Sequence, residues 1–157
     1  GKLTLDARVF PAAALAMDRP NPRNALGTAL LSSATACADI SDGLAQDLGH
    51  ILERSGVDAD VLWDAVPKHP VLAALSQEQQ VEAAMSGGDD YELVFTAPAD
   101  KRGLIEQASI SALTPVTRIG RIVEKKPSGA PLAIRDASGR PLFLPVQGFD
   151  HFAQSAD

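Results

Sequence analysis

Asp39 and Asp42 stand three residues apart, with Ile40 and Ser41 between them and Gly43-Leu44 following. Carboxylates this close repel: two unit charges about 4 Å apart cost roughly 4 kcal/mol at an effective dielectric near 20. A cation removes that cost, and hard carboxylate oxygens suit Mg²⁺, particularly when it also carries substrate phosphates. The same residues have a plainer use, because Asp and Ser satisfy the free N–H groups at a helix start. On residue types alone, metal-assisted phosphate chemistry and simple capping both stay open.

The elements that must position these residues are a short strand and a helix. Cys37, Ala38 and Ile40 form an apolar approach, and Ser41 is the candidate N-cap. The helix-like stretch from Ala45 to Arg54 follows. Leu44, Leu48, Ile51 and Leu52 recur at i, i+4, i+7 and i+8, the spacing of one buried stripe. Asp42, Gln46, Asp47, His50 and Glu53 are assigned to the opposite side. Asp39, Ser41 and Asp42 then sit at a strand-to-helix turn, where outward backbone N–H groups favour anions.

A second polar turn, Ser86-Gly87-Gly88-Asp89-Asp90, leads into an alternating strand with Tyr91, Leu93 and Phe95 on one side and Glu92, Val94 and Thr96 on the other. Its two glycines permit close approach of the backbone to a ligand, or simply a turn. Elsewhere the pattern predicts helices over Asp6–Met17, Asn24–Ser32, Leu72–Met85 and Pro98–Ala112. Strands are expected over Val57–Val66 and Val116–Val123. A hairpin pairs Leu132–Arg135 with Leu142–Val146. Gly56 reads as a helix stop. Trp63 reads as core or subunit contact, His69 as exposed, and His50 as a partly solvated helix position. Arg19 and Arg23 flank a proline-rich turn; they are either solvated or available to a phosphate.

Five stretches carry a resemblance: Arg19-Pro-Asn-Pro-Arg23, Asp39-Ile-Ser-Asp-Gly-Leu44, Asp47-Leu-Gly-His-Ile51, Ser86-Gly-Gly-Asp-Asp-Tyr-Glu-Leu-Val-Phe95 and Gly148-Phe-Asp-His-Phe152. In this order, over nearly the whole chain, they resemble the C-terminal half of the thiamine-monophosphate kinase family. The resemblance implies the C-terminal domain fold of the aminoimidazole-ribonucleotide synthetase superfamily. That is an α+β (layered α/β) domain, a mixed β-sheet flanked by helices, which the mixed order of elements also suggests. It implies phosphoryl transfer from ATP to thiamine monophosphate, with Mg²⁺ bridging the phosphates. Asp39 and Asp42 are then metal ligands, and Ser41 meets an ATP phosphate or its metal shell. Asp89 and Phe149 meet the thiamine moiety, Phe149 by stacking and Asp89 by accepting a hydrogen bond. The family normally has Glu where this chain has Asp89, one methylene longer. Trp or Tyr is common where it has Phe149, for which pinning the C-terminus is the equal alternative.

The resemblance also implies an N-terminal domain holding the remaining metal aspartates, most ATP contacts and a homodimer interface. The chain, beginning at Gly1 rather than Met, is expected to be a processed or engineered piece of such an enzyme, inactive alone. One rival is another superfamily enzyme, of the selenophosphate synthetase or hydrogenase-maturation type; the Gly-Gly-Asp-Asp-Tyr-Glu-Leu and Gly-Phe-Asp-His-Phe pair opposes it. The other is a non-catalytic binding or regulatory module; intact Asp39, Ser41 and Asp42 oppose that, while Asp89 leaves it open.

Composition sets outer bounds. At 157 residues with 45% hydrophobic content, the chain is one domain with room for a proper core. A formal charge of −6 argues against nucleic acid or an anionic membrane as partner. No apolar run reaches the ~18 residues of a membrane span. The single cysteine, Cys37, cannot form an internal disulfide; it is expected to be buried, and a reducing cytoplasm suits it.

Overall fold

A computed structural model describes residues 21–88 and 91–143. The expected helix at Asp6–Met17, and Arg19, Asp89, Phe149 and Phe152, lie outside the described residues. The order is α1 (Asn24–Leu30), β1 (Ala36–Asp39), α2 (Leu44–Ser55), β2 (Val57–Leu62), α3 (Gln77–Ser86), β3 (Leu93–Thr96), α4 (Arg102–Ser111), β4 (Gly120–Glu124), β5 (Leu132–Arg135) and β6 (Pro141–Leu142). Short 3₁₀ turns occupy Trp63–Ala65, Pro70–Ala74 and Ala99–Lys101.

Helix α2 is the hub. Its Leu44, Leu48, Ile51 and Leu52 are buried, as the spacing predicts, and it packs against β1, β2, β3 and α3. Leu52 and Met85 of α3 have no exposed surface, and burial of side chains of this size stabilises by about 1.5–3 kcal/mol each. The helix stops at Gly56, whose φ of 64° is the left-handed conformation that glycine adopts without a Cβ penalty. The reversed chain becomes β2, whose Ala59 and Val61 join the same core with Ile134 of β5.

Two strand groups flank this core. β2 is central in a four-stranded mixed sheet of order β4-β2-β5-β6, parallel to β5 and antiparallel to β4. β1 and β3 form a separate antiparallel pair with Cys37 opposite Phe95 and Asp39 opposite Leu93. Val94 enters the main core, while Leu93 and Phe95 face a smaller cluster of Leu26, Leu30 and Ala108 from α1 and α4. The mixed sheet with flanking helices is the α+β class expected.

Several boundaries differ from expectation. The stretch Leu72–Met85 is not one helix: Ser76 interrupts it with a capping box, its hydroxyl accepting from Gln79 N–H and Gln79 Oε1 accepting from Ser76 N–H. The strand expected over Val116–Val123 is β4, Gly120–Glu124. Cys37 is exposed rather than buried, although its cross-strand partner Phe95 packs against the α1 and α4 cluster: the helices cover that face at β3 and not at Cys37. Trp63 is core, 4% exposed, with Lys68 Nζ 4.1 Å from its ring centroid. His69 is exposed, as expected.

Candidate functional site

β1 delivers Asp39 to its end, and the pairing continues one residue further through Ile40 N–H donating to Glu92 O at 2.9 Å. Ile40 is buried and anchors the chain there; Asp39, Ser41 and Asp42 are exposed around it. Gly43, not Ser41, is the residue that caps α2, and no side chain caps the helix. Its φ of 112° favours glycine, and a Cβ there would stand 3.0 Å from the Met85 carbonyl oxygen. The Ser41 hydroxyl is therefore free of the capping duty that sequence assigns it.

Asp47 instead holds the turn ahead of that cap. Its carboxylate is buried, 6% exposed, and its Oδ2 accepts from Ser41 N–H at 2.9 Å and Asp42 N–H at 3.1 Å. Sequence places Asp47 on the polar side of α2; the structure places it on the inner one. The legible signal is its position three residues after Leu44, which belongs to the same helical stripe as Leu48 and Ile51. The consequence is electrostatic. Amides expected to point outward toward an anion point inward to a carboxylate instead. The turn presents the Asp39 and Asp42 side chains outward, and among the described residues only Gln46 Nε2 donates to either, reaching Asp42 Oδ2 at a long 3.4 Å.

The second motif meets the first. A Cβ on Gly88 would collide with the Ser41 carbonyl, so this glycine lets residues 86–88 lie against the aspartate turn. The close approach that glycine permits here is to the chain's own backbone. Asp89, the next residue, and Phe149 lie outside the described residues.

Arg23 is engaged rather than solvated. Its Nη2 donates to Glu92 Oε1 at 2.6 Å, and its Nε reaches both carboxylate oxygens at 3.1 and 3.0 Å. These hydrogen bonds raise the guanidinium further above its ordinary value, with partial burial opposing and the Glu92 charge adding. The pair ties the chain ahead of α1 to the strand beside Asp39. It also neutralises a cation that a phosphate could have used. Sequence reading missed Glu92 because its partner lies 69 residues away. His50 is exposed on α2.

Mg²⁺ binds typically through one or two carboxylates, retained waters and substrate phosphates. Outward Asp39 and Asp42, with the Ser41 hydroxyl between them, fit that donor set. Among the described residues no group of three or more His, Cys, Asp or Glu side chains could hold a metal alone. The arrangement can share a cation with a ligand that brings its own oxygens.

Residues 10–131 match the sequence profile of the C-terminal domain of AIR synthase related proteins, and the chain belongs to that family. Within that class it is similar to the thiamine-monophosphate kinase of Haemophilus influenzae, 42% identical over 139 residues that make up 87% of this chain and 42% of the relative. The crystal structure of thiamine-monophosphate kinase from Stenotrophomonas maltophilia matches with a TM-score of 0.71 at 41% identity, over 85% of this chain and 41% of that one. A second structure, AaThiL complexed with AMPPCP and TMP, matches with a TM-score of 0.64 at 27% identity, over 90% of this chain and 41% of that one. The chain thus spans about two-fifths of the relatives it matches.

Proposed function

We propose that the chain is the C-terminal domain of an ATP-dependent thiamine-monophosphate kinase, which makes thiamine diphosphate by direct transfer of the ATP γ-phosphate. The observation that carries this reading is the outward pair Asp39 and Asp42, held by Asp47 in a chain 42% identical to a relative of that name. Asp39 and Asp42 hold Mg²⁺, and Ser41 donates its hydroxyl to an ATP phosphate or to water on the metal. When bound, Mg²⁺ supplies neutralisation of the phosphate charge in a transfer that needs little covalent work from protein. Asp47 fixes the turn, so the carboxylates stand ready rather than reorganising as the nucleotide arrives. Asp89 and Phe149 bind the thiamine moiety by hydrogen bond and stacking.

The rest of such an enzyme supplies the remaining metal ligands, most of the ATP site and a homodimer interface. The whole works in the cytoplasm, where the free Cys37 thiol stays reduced. Among the described residues no helix is long and apolar enough to cross a membrane. The identity with a relative of this name favours the reading over other superfamily enzymes, and the outward aspartates favour it over a non-catalytic module.

Asp39→Asn in the full-length enzyme tests it. The Mg²⁺ concentration for half-maximal initial rate should rise while the melting temperature holds. An unchanged Mg²⁺ dependence sinks the metal assignment. The 157-residue chain alone should form no thiamine diphosphate, and adding the remaining part of the enzyme should restore turnover. Turnover by the chain alone, abolished by Asp42→Asn, contradicts that division of labour.

A further inference from the structure

A groove of about 480 Å³ opens over β2, lined by Asp60, Leu62, Arg118, Arg121, Arg135 and Asp136 among others. None of its lining residues belongs to the aspartate turn. Strand alternation explains the setting. Ala59 and Val61 face the core against α2, so Asp60 and Leu62 face the other side of the sheet. The register sets Arg121 opposite Asp60 and Arg135 opposite Leu62. Gly120 permits this, since a Cβ there would collide with the Asp60 carbonyl.

The charges in the groove are unequally matched. Among the described residues the ion pairs are Arg23–Glu92, Arg121–Asp60 and Arg140–Asp136, so Arg118 and Arg135 have no carboxylate partner. Both are nevertheless oriented. Arg118 Nε donates to Gly120 O at 3.2 Å and Arg135 Nη1 to Gly139 O at 3.3 Å. Each contact fixes a guanidinium while leaving its charge and most of its five N–H donors free. Asp60 is engaged by Arg121, and Asp136 by Ser138 and Arg140. Asp64, at the rim, accepts from Ala137 N–H at 2.7 Å. The guanidiniums of Arg118, Arg121, Arg135 and Arg140 still outnumber these carboxylates by one. A locally basic groove thus stands in a chain of net charge −6.

We propose that this groove is a second anion site, apart from the aspartate turn, which binds a small molecule bearing phosphoryl groups through Arg118 and Arg135. Arg forks match phosphate oxygens in pairs. Separately anchored guanidiniums across a space this size suit an anion with several oxygens better than one carboxylate. Pyrophosphate and a phosphate monoester share that chemistry. The site does not depend on the kinase reading.

The test is titration of the isotope-labelled 157-residue chain, in EDTA to exclude metal, with pyrophosphate, glycerol phosphate and malonate in parallel. Pyrophosphate should bind saturably, shifting the amides of Gly120 and Gly139 and the side-chain Nε–H of Arg118 and Arg135. Arg118→Gln and Arg135→Gln should each weaken it about tenfold, the scale of one charge-assisted hydrogen bond. Arg54→Gln, an exposed change on α2, should leave it unaltered, as should Asp42→Asn. Binding by glycerol phosphate as well identifies the phosphoryl group itself as what is recognised. Linear, non-saturating shifts of the wild-type chain overturn the site whatever the variants do. Equal binding of malonate overturns the phosphate class, and unchanged affinity in both glutamine variants overturns the residues.

Discussion

Asp47 is the residue whose replacement discriminates most sharply. Both of its hydrogen bonds, from Ser41 N–H at 2.9 Å and Asp42 N–H at 3.1 Å, end on one oxygen, Oδ2. Asp47→Ala removes both. Charge-assisted hydrogen bonds contribute about 1.5–3 kcal/mol each, and the exposed turn lets water recover part, so the low end, about 3 kcal/mol, is expected. For a domain of this size that lowers the melting temperature by about 6–12 °C. Asp47→Asn offers a neutral amide oxygen in the same place, which can accept both bonds at roughly half the strength. Its cost should be about 1.5 kcal/mol, near half that of Ala. Urea denaturation gives both free energies, and hydrogen exchange should show the Ser41 and Asp42 amides losing protection in the Ala variant first. An Ala variant within about 0.5 kcal/mol of wild type, inside the range of ordinary surface changes, refutes the role of Asp47. So does an Asn variant as costly as Ala.

Further outcomes follow from the same neighbourhood and from the β5–β6 loop. Gly88→Ala forces a Cβ against the Ser41 carbonyl and should destabilise by about 1–3 kcal/mol, whereas Gly49→Ala, in open space inside α2, should stabilise by about 0.5–1 kcal/mol; urea midpoints moving in the same direction would contradict this. The exposed Cys37 thiol is pushed up, first by partial burial and then by the Asp39 carboxylate, so its alkylation by iodoacetamide should need pH above the ordinary thiol range. Asp39→Asn should move that rate profile to lower pH, and a profile indifferent to the change would deny the proximity. The Asp136 carboxyl is held at about 2, below its ordinary 3.8, first by the Ser138 hydroxyl and then by Arg140. Its folded value being depressed, the loop's stabilisation is complete above the ordinary value and is lost as pH falls from about 3.8 toward about 2. The Ser138 and Arg140 amide resonances should shift across that window, and Asp136→Asn should abolish the shift.

Local periodicity carried the parts of the fold that it physically controls. The stripe of α2 and its stop at Gly56 follow from helical spacing and glycine's freedom at positive φ, and both appear where expected. The break at Ser76 was also available, because Ser76 and Gln79 have the spacing of a capping box. The apolar run Leu72–Leu75 obscured it by extending a helical pattern across a 3₁₀ turn. Cys37 shows a different limit. Strand spacing says which face a residue occupies, but only tertiary packing decides whether a helix covers that face. The pairing of Arg23 with Glu92 lies beyond periodicity for a related reason, since its partner is a side chain 69 residues away. The inner position of Asp47 was legible from its place on the α2 stripe, but the two backbone amides it accepts from leave no mark in the pattern of residue types.

The direction of charge at the aspartate turn reverses the simplest expectation for a helix start. A strand-to-helix turn ordinarily offers N–H groups to an anion. Here Asp47 accepts those of Ser41 and Asp42, and Asp39 and Asp42 add two outward carboxylates. The Arg23 guanidinium is already paired with Glu92. Such a turn repels a bare phosphate and attracts a divalent cation. On the proposed reading, a phosphorylated ligand would approach with its charge shared by metal. On that reading, two carboxylates would fill part of the coordination of Mg²⁺, and the ligand's own oxygens, water or another part of the polypeptide would fill the rest. The proposed kinase reading needs that order of assembly, in which metal and nucleotide reach the turn together.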